Sequence, residues 1–271
     1  MVVELLFRSK KKVIIASWNI NSVRIREESL LHFIKNLNPD ILLMQEIKCE
    51  EKFFPYNFFD QLGYQSFVNG QKGRNGVAIV AKKSLNLHEY KTYQNLNIES
   101  QARFIVIYSE VHNIYFSNLY MPNGNPTSSL EKFNLKLEWL NNLKNLIIPM
   151  IENEKKLIIG GDFNVIENPR DVKNFEQWKE DALGHKKVIK EFREILGLGM
   201  QNVVRKFFEP GEKYSYWDYQ KSSWEKNDGL LIDHFLVTPN LIDETIKFDI
   251  DTITRGLFKP SDHAPIWMEI N

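Results

Sequence analysis

The stretch LIIGGDFNV, Leu157 to Val165, limits what this chain can fold into more than any other part of it. An apolar run, two glycines and then Asp162 and Asn164 describe a buried strand that stops abruptly and presents two polar side chains at its end. A core strand has no packing need for that ending. Glycine pairs admit close approach of the backbone, and the carboxyl edge of a sheet is where open α/β folds keep their chemistry. Taken alone, the stretch also reads as a strand followed by a solvated turn.

The pattern recurs along the chain. Val13 to Trp18 is a short apolar run that ends on Asn19, and Ile41 to Met44 runs straight into Gln45 and Glu46. Ile114 to Tyr120 closes on a tyrosine, and Leu230 to Val237 reads as a strand with Asp233 near its beginning. In PSDHAP, residues 260 to 265, Asp262 and His263 precede the final alternating strand IWMEI. If that strand runs antiparallel to its neighbours, its leading residues reach the same edge as the others' trailing ones. A buried carboxylate costs several kcal/mol unless it is paired or meets a cation, so Glu46 needs a partner.

Between these runs, helical spacing marks Arg24 to Leu37, Leu130 to Ile151 and Lys186 to Leu196. In the second of these, Phe133, Leu137, Leu140, Leu143 and Ile147 form the apolar stripe, with Ser128 or Ser129 as the cap. Tyr64 to Val68 with Gly76 to Ala81, and Arg103 to Tyr108 with Ile114 to Tyr120, read as hairpins. No composition shift divides the 271 residues, which are expected to form one domain behind a basic leader, residues 1–11.

With one cysteine, Cys49, no internal disulfide framework is possible, and any metal is left to oxygen and nitrogen ligands. That usage fits a reducing compartment, and the expected location is cytoplasmic. No apolar run approaches the ~20 residues of a membrane span, so no membrane partner is expected. Lys+Arg and Asp+Glu both number 35, a balance that advertises no polyanionic partner and leaves nucleic-acid binding to a local patch.

Collected, the strand-edge residues are Asn19, Glu46, Tyr120, Asp162, Asn164, Asp233, Asp262 and His263. No serine or cysteine nucleophile accompanies a base. An oxygen-rich, acidic group suits a hard divalent cation such as Mg²⁺, whereas zinc would want more histidines or thiolates. A carboxylate to activate water, amide and imidazole donors for the growing charge and a metal for the phosphate together make hydrolysis of a phosphate ester the favoured reaction. Each member has a plainer reading too: Asn19 as a strand-end amide, Tyr120 as a core ring, His263 as a turn histidine, Asp233 as a local cap. Contact between Asp233 and His263 would strengthen the catalytic reading, because a carboxylate fixes the ring's tautomer.

The motifs SWNINSVR (17–24), LMQEIK (43–48), GRNGVAIV (73–80), QARFI (101–105), LYMPNGN (119–125), GDFNV (161–165), YSYWDY (214–219), LIDHFLV (231–237) and PSDHAP (260–265) resemble the exonuclease III family of abasic-site endonucleases, within the endonuclease/exonuclease/phosphatase superfamily. They follow the family's order over nearly the whole chain. The resemblance implies a four-layer α/β sandwich, two mainly antiparallel sheets face to face with helices outside. It also implies a monomer that cleaves double-stranded DNA 5′ of abasic sites with Mg²⁺ or Mn²⁺, leaving a 3′-hydroxyl, with 3′→5′ exonuclease and 3′-end-cleaning activities.

On the matching positions, the resemblance makes Glu46 the principal metal ligand, with Asn19 nearby and Asp262 assisting through water. Asp162 would activate the attacking water with Asn164. His263, held by Asp233, would bind the phosphate, and Tyr120 would contact the phosphate or aid the leaving group. Arg24, Lys48, Arg103, Asn123 and Lys132 would face DNA. Tyr216, Leu230 and Ile232 would form an apolar pocket for a flipped baseless sugar, with Trp217 on the DNA face or in the core.

One segment departs from the family. Where relatives read roughly NRGLRID, this chain has Asn227-Asp228-Gly229-Leu230-Leu231-Ile232-Asp233, two cations fewer, which implies weaker or more salt-sensitive DNA binding than a basic relative's. The competing functional readings are a phosphodiesterase or phosphatase acting on a lipid or inositol phosphate, and a non-catalytic DNA-binding member of the same fold. The first has no reason to carry SWNINSVR and WDY. The second would have lost part of the catalytic set, which is complete here.

Overall fold

The apolar runs become strands because both of their faces find cover. The computed structural model describes residues 12–90 and 96–271, so the expected leader, residues 1–11, lies outside the described residues. Twelve strands follow in chain order: β1 (Val13–Asn19), β2 (Ile41–Gln45), β3 (Tyr64–Asn69), β4 (Val77–Lys82), β5 (Leu87–Glu89), β6 (Phe104–Ser109), β7 (Ile114–Tyr120), β8 (Lys156–Asp162), β9 (Gln201–Asn202), β10 (Asp233–Val237), β11 (Thr245–Ile250) and β12 (Ile266–Ile270). They form two six-stranded sheets, ordered β11-β12-β1-β2-β4-β3 and β5-β6-β7-β8-β10-β9. The pairs β1–β2 and β7–β8 are parallel, and the other pairs are antiparallel.

The sheets lie face to face. Ile15, Leu43 and Ile79 of the first share a core with Phe116, Ile158 and Phe235 of the second. Helices α1 (Glu27–Leu37) and α2 (Tyr56–Gln61) cover the outer side of the first sheet, where Leu30, Phe33 and Phe59 pack with Ala16, Leu42 and Val80. Helices α3 (Leu130–Glu152) and α4 (Lys186–Gly197) cover the second, where Trp139, Leu140 and Phe192 pack with Val106, Leu157 and Ile159. The expected four-layer α/β sandwich is therefore the observed architecture. Buried on both faces, β2 and β8 read as continuous apolar runs and not as alternating ones.

Several expectations shift in detail. Helix α1 starts at Glu27, because Val23–Ile25 is a separate 3₁₀ turn. Ser129 occupies the cap position of α3 without a side-chain capping bond. The strand expected over 230–237 begins only at Asp233; Leu230 makes isolated bridges to Val172 and Tyr216 instead of joining the ladder. Strand β11 adds to the expected strands; its Lys247 and Asp249 alternate with the buried Phe248 and Ile250, a legible period, whereas β9 is too short to have one.

The glycine pair does close-packing work. A Cβ on Gly160 would lie 2.6 Å from Leu43 Cδ1 of the facing sheet, and one on Gly161 would lie 2.0 Å from the Leu119 carbonyl oxygen of β7. The close approach inferred from the sequence is thus to neighbouring strands. Gly161→Ala should lower the unfolding free energy by roughly 2–4 kcal/mol in a urea titration, through overpacking against backbone that cannot yield. Gly197→Ala, where nothing lies within 4 Å, should be neutral or stabilise by up to about 1 kcal/mol.

Candidate active site

Strand register brings the polar residues together. Asp162 ends β8 with Tyr120 of β7 opposite it on one side and Asp233 of β10 on the other. On the facing sheet Asn19 ends β1 beside Gln45, and Glu46 follows directly at φ 50°. Strand β12 runs antiparallel to β1 with Ile266 opposite Ser17, so Asp262 and His263, just ahead of it, reach the same rim. The edge inferred from the sequence is a real edge, contributed by both sheets.

One side chain links the two sheets across it. Asn19 Nδ2 donates to Glu46 Oε1 at 2.9 Å and to Asp162 Oδ2 at 3.0 Å. His263 Nδ1 donates to Asp233 Oδ2 at 2.8 Å, and its Nε2 faces Asp162 Oδ2 at 3.7 Å. The Asp233–His263 contact is therefore made, and it fixes the orientation of the ring with Nε2 toward Asp162. Asp162 Oδ1 accepts from the backbone N–H of Asn164, whose own φ of 48° turns the chain sharply at that point. Asn164 Nδ2 donates to the Met121 carbonyl, and its Oδ1 accepts from Asn123 Nδ2 at 3.3 Å.

Charge follows from burial and neighbours. Burial raises Asp162, and repulsion from Asp233 and Glu46 adds to this against the opposing pull of His263. Burial disfavours a charged His263, but Asp233 and Asp162 outweigh it and raise the imidazole to about 10. Glu46 is also penalised by burial, yet hydrogen bonds from Asn19 and Lys48 hold it below the usual carboxylate range. Tyr120 is raised well above an ordinary phenol by burial and by Glu46 and Asp162, so it is a hydrogen-bond donor and not a phenolate.

The donor set fits a hard dication on the Glu46 side. Glu46 is anionic and sits at the rim, where Lys48 Nζ approaches Oε2 at 2.8 Å, so positive charge is already favoured there. Among the described residues, Asp162, Asp233 and His263 also offer ligand atoms within 4.8 Å of one another. A protonated imidazole already bonded to Asp233 is a poor ligand, which leaves Glu46 as the better holder; Asn19 turns its Nδ2 to Glu46, and its amide oxygen accepts from the Asn21 backbone N–H at 3.2 Å. Asp262 does not touch Glu46; its Oδ1 accepts from Asn21 Nδ2 at 2.9 Å, and Asn21 Oδ1 in turn accepts from Lys48 at 2.6 Å.

The residues expected to meet DNA separate into groups. Lys48 and Asn123 stand at the site. Arg103 lies over the Tyr120 ring at 4.8 Å and donates to its carbonyl, a position that braces Tyr120. Arg24 is exposed on the first 3₁₀ turn and Lys132 on the first turn of α3. Tyr216 bridges both His263 and Leu230 through its backbone, with its ring 4.9 Å from the imidazole; Leu230 and Ile232 join Ile166, Val172 and Leu183 in an apolar cluster beside it.

Two expectations need correction. Trp217 is 2% exposed and packs in the inter-sheet core against Trp224, so it is no DNA-facing residue. Leu231 is 1% exposed in the same core, so the arginine expected there is not missing from an open surface; only Asp228 is exposed.

Sequence reasoning missed Asn21, Ser215, Ser261 and Lys136. Ser215 Oγ donates to Asp233 Oδ2 at 2.6 Å, and Ser261 Oγ donates to the Asn19 carbonyl at 2.6 Å. Their motifs contained them, but small hydroxyls carry no periodic signal. Lys136 had one: a lysine three residues after Phe133 and four before Leu140 lies on the apolar stripe of α3 and must find a partner inside.

The profile of the Endonuclease/Exonuclease/phosphatase family matches residues 16–263. The chain belongs to that family. It is 30% identical over 264 residues to the exodeoxyribonuclease III of Haemophilus influenzae, covering 93% of this chain and 98% of that protein. An AP endonuclease from Archaeoglobus fulgidus superposes with a TM-score of 0.87 at 32% identity, over 96% of this chain and 99% of the other. A 3′ phosphatase from Neisseria bound to a product DNA hairpin does so with 0.88 at 30%, over 96% and 99%. The family's metal-dependent nuclease chemistry agrees with the acidic rim described above.

The buried cluster makes a pH prediction. A group whose pKa rises on folding stabilises the native state fully below its unfolded value and loses that contribution as pH climbs through the folded one. His263, raised from 6.5 to about 10, should therefore stabilise the metal-free protein fully below pH 6.5 and progressively less up to about 10. Urea titrations across that interval should show a decline in the parent that is smaller in His263→Asn.

Proposed function

We propose that this protein is a divalent-metal-dependent DNA repair nuclease that hydrolyses the phosphodiester 5′ of an abasic site. The observation that carries this reading is the double hydrogen bond of Asn19 to Glu46 and Asp162, with His263 Nε2 facing the same Asp162 oxygen. Groups from both sheets thereby converge at one point of the rim. The names of the similar proteins, an exodeoxyribonuclease, an AP endonuclease and a 3′ phosphatase bound to DNA, point to the same bond type.

In this reading Asp162 orients a water and takes its proton as the water oxygen attacks phosphorus; its raised pKa suits it as a base near neutrality. Asn164, fixed against Met121, helps place that water. Protonated His263 receives charge on the non-bridging oxygens, while the Asn19 amide stays bonded to Glu46 and Asp162. The bond to the upstream 3′-oxygen breaks, and Tyr120, a neutral phenol, is placed to donate toward that leaving oxygen. Mg²⁺, or Mn²⁺ in its place, would be held chiefly by Glu46, with Asn19 and Asp262 as the further candidates, and would supply Lewis-acid stabilisation of the phosphate.

Tyr216, half-buried beside His263 and backed by the buried Leu230 and Ile232, gives the baseless sugar an apolar seat, which favours abasic DNA over a nucleotide carrying its base; Leu230 and Ile232, 3% and 2% exposed, support that seat from beneath and do not line it. The same site hydrolysing terminal phosphoesters accounts for 3′→5′ exonuclease and 3′-end-cleaning activities. We read the active species as a cytoplasmic monomer. Among the described residues, no helix is long and apolar enough to cross a membrane.

The test is a duplex with one abasic analogue, incubated with and without Mg²⁺, followed by identification of the new ends. Incision at the analogue only with metal, leaving a 3′-hydroxyl, is the expected result. Cleavage of a lipid or inositol phosphate with the duplex left intact would replace this reading with the other phosphodiesterase one. Asp162→Asn and His263→Asn should each lower the rate by about 10²–10⁴-fold. Asp228→Arg should raise affinity for abasic duplex and steepen its salt dependence; equal affinity across a salt titration would show that this position does not meet DNA.

A further inference from the structure

Lys136 is fully buried in the middle of the apolar stripe of α3, between Phe133 and Leu140. Its Nζ donates to the carbonyl oxygen of Asn164 at 2.6 Å and to that of Asn123 at 3.0 Å. Among the described residues it makes no ion pair. Enclosing an ammonium without a carboxylate against it is unfavourable, and a methionine of similar length would fill the same space without that penalty. Stability alone does not account for a lysine at this place.

The surroundings are shaped to receive it. Gly124 has φ +85°, and a Cβ there would lie 2.7 Å from Lys136 Cδ, so the loop after β7 bends around the lysine stem. Asn123 follows β7, Asn164 follows β8, and their carboxamides already touch at 3.3 Å. Asn164 also holds Asp162 Oδ1 through its backbone N–H. Lys136 thus grips from below the two loops whose amides sit beside Asp162. Burial lowers the amine to about 7, and a neutral amine still carries two N–H groups, enough for both carbonyls. The grip holds in either protonation state.

We propose that Lys136 is a positioning residue that clamps the carbonyls of Asn123 and Asn164 and thereby sets the reach of both carboxamides toward the substrate phosphate. The assignment rests on the phosphodiester reading for the substrate and on geometry for the clamp, and the two are tested separately.

Lys136→Met and Lys136→Arg are to be compared with the parent in steady-state incision of an abasic duplex, in thermal unfolding, and by the side-chain amide NMR signals of the asparagines. For Lys136→Met the expected result is a kcat lowered about tenfold or more with KM changed less than about threefold, and a melting temperature equal to or above the parent's. The amide signals of Asn123 and Asn164 should move, and Lys136→Arg should recover most of the lost kcat. A Lys136→Met enzyme with parental kcat, or one whose loss tracks a lowered melting temperature with no recovery in Lys136→Arg, overturns the proposal. If the parent itself does not incise the duplex, the substrate reading fails and the NMR comparison decides the clamp: unmoved Asn123 and Asn164 signals overturn it, and shifted ones sustain it.

Discussion

A single carboxamide holds the two halves of the sandwich in register at their working edge. Asn19 belongs to the first sheet, Asp162 to the second, and Glu46 follows the strand beside Asn19; the amide nitrogen serves both acids. Each sheet could slide or twist a little without disturbing its own ladders. It could not do so without breaking one of these two bonds. The geometry of the rim is therefore set by the packing of the whole inter-sheet core, from the Gly160–Leu43 approach to the buried Gln45–Asn118 contact at 2.6 Å.

That edge concentrates like charge where water is scarce. Asp162 and Asp233 are buried and Glu46 nearly so, and His263, Lys48, Arg103 and, further in, Lys136 oppose them from the protein's own side. Burial, with repulsion from the neighbouring acids, raises Asp162, and attraction to Asp233 and Asp162 keeps the imidazole protonated, which are the states suited to a base and to a phosphate-binding cation. Such a site is unfavourable for stability and retained for what it can bind. An oxygen-rich acidic rim accepts a dication, and the cation and imidazole together accept a phosphate that neither would hold as well alone.

Much of this was legible in the sequence, because strands ending in polar residues leave a local signature. Asn19, Glu46, Asp162, Asn164, Asp233 and His263 each stood at the end or beginning of an apolar run, and the run's burial is what brings them together. The layers were legible for the same reason, since β2 and β8 lack the alternation of a half-exposed strand. What stayed hidden depends on contacts between distant segments. Trp217 and Leu231 look like surface residues in a loop and are core, because that loop folds back onto Asp262–Ala264, ahead of β12, and onto the inter-sheet apolar layer. Lys136 was passed over for Leu137, one position off the true stripe. Ser215 and Ser261 act through hydroxyls that any loop contains.

The account depends on water attacking phosphorus at this rim, and incision carried out in ¹⁸O-labelled water tests that most directly. The account predicts one ¹⁸O in the new 5′-phosphate attached to the baseless sugar and none in the new 3′-hydroxyl. A product phosphate without label, accompanied by an unsaturated 3′ sugar, would show that the strand breaks by elimination and would contradict it.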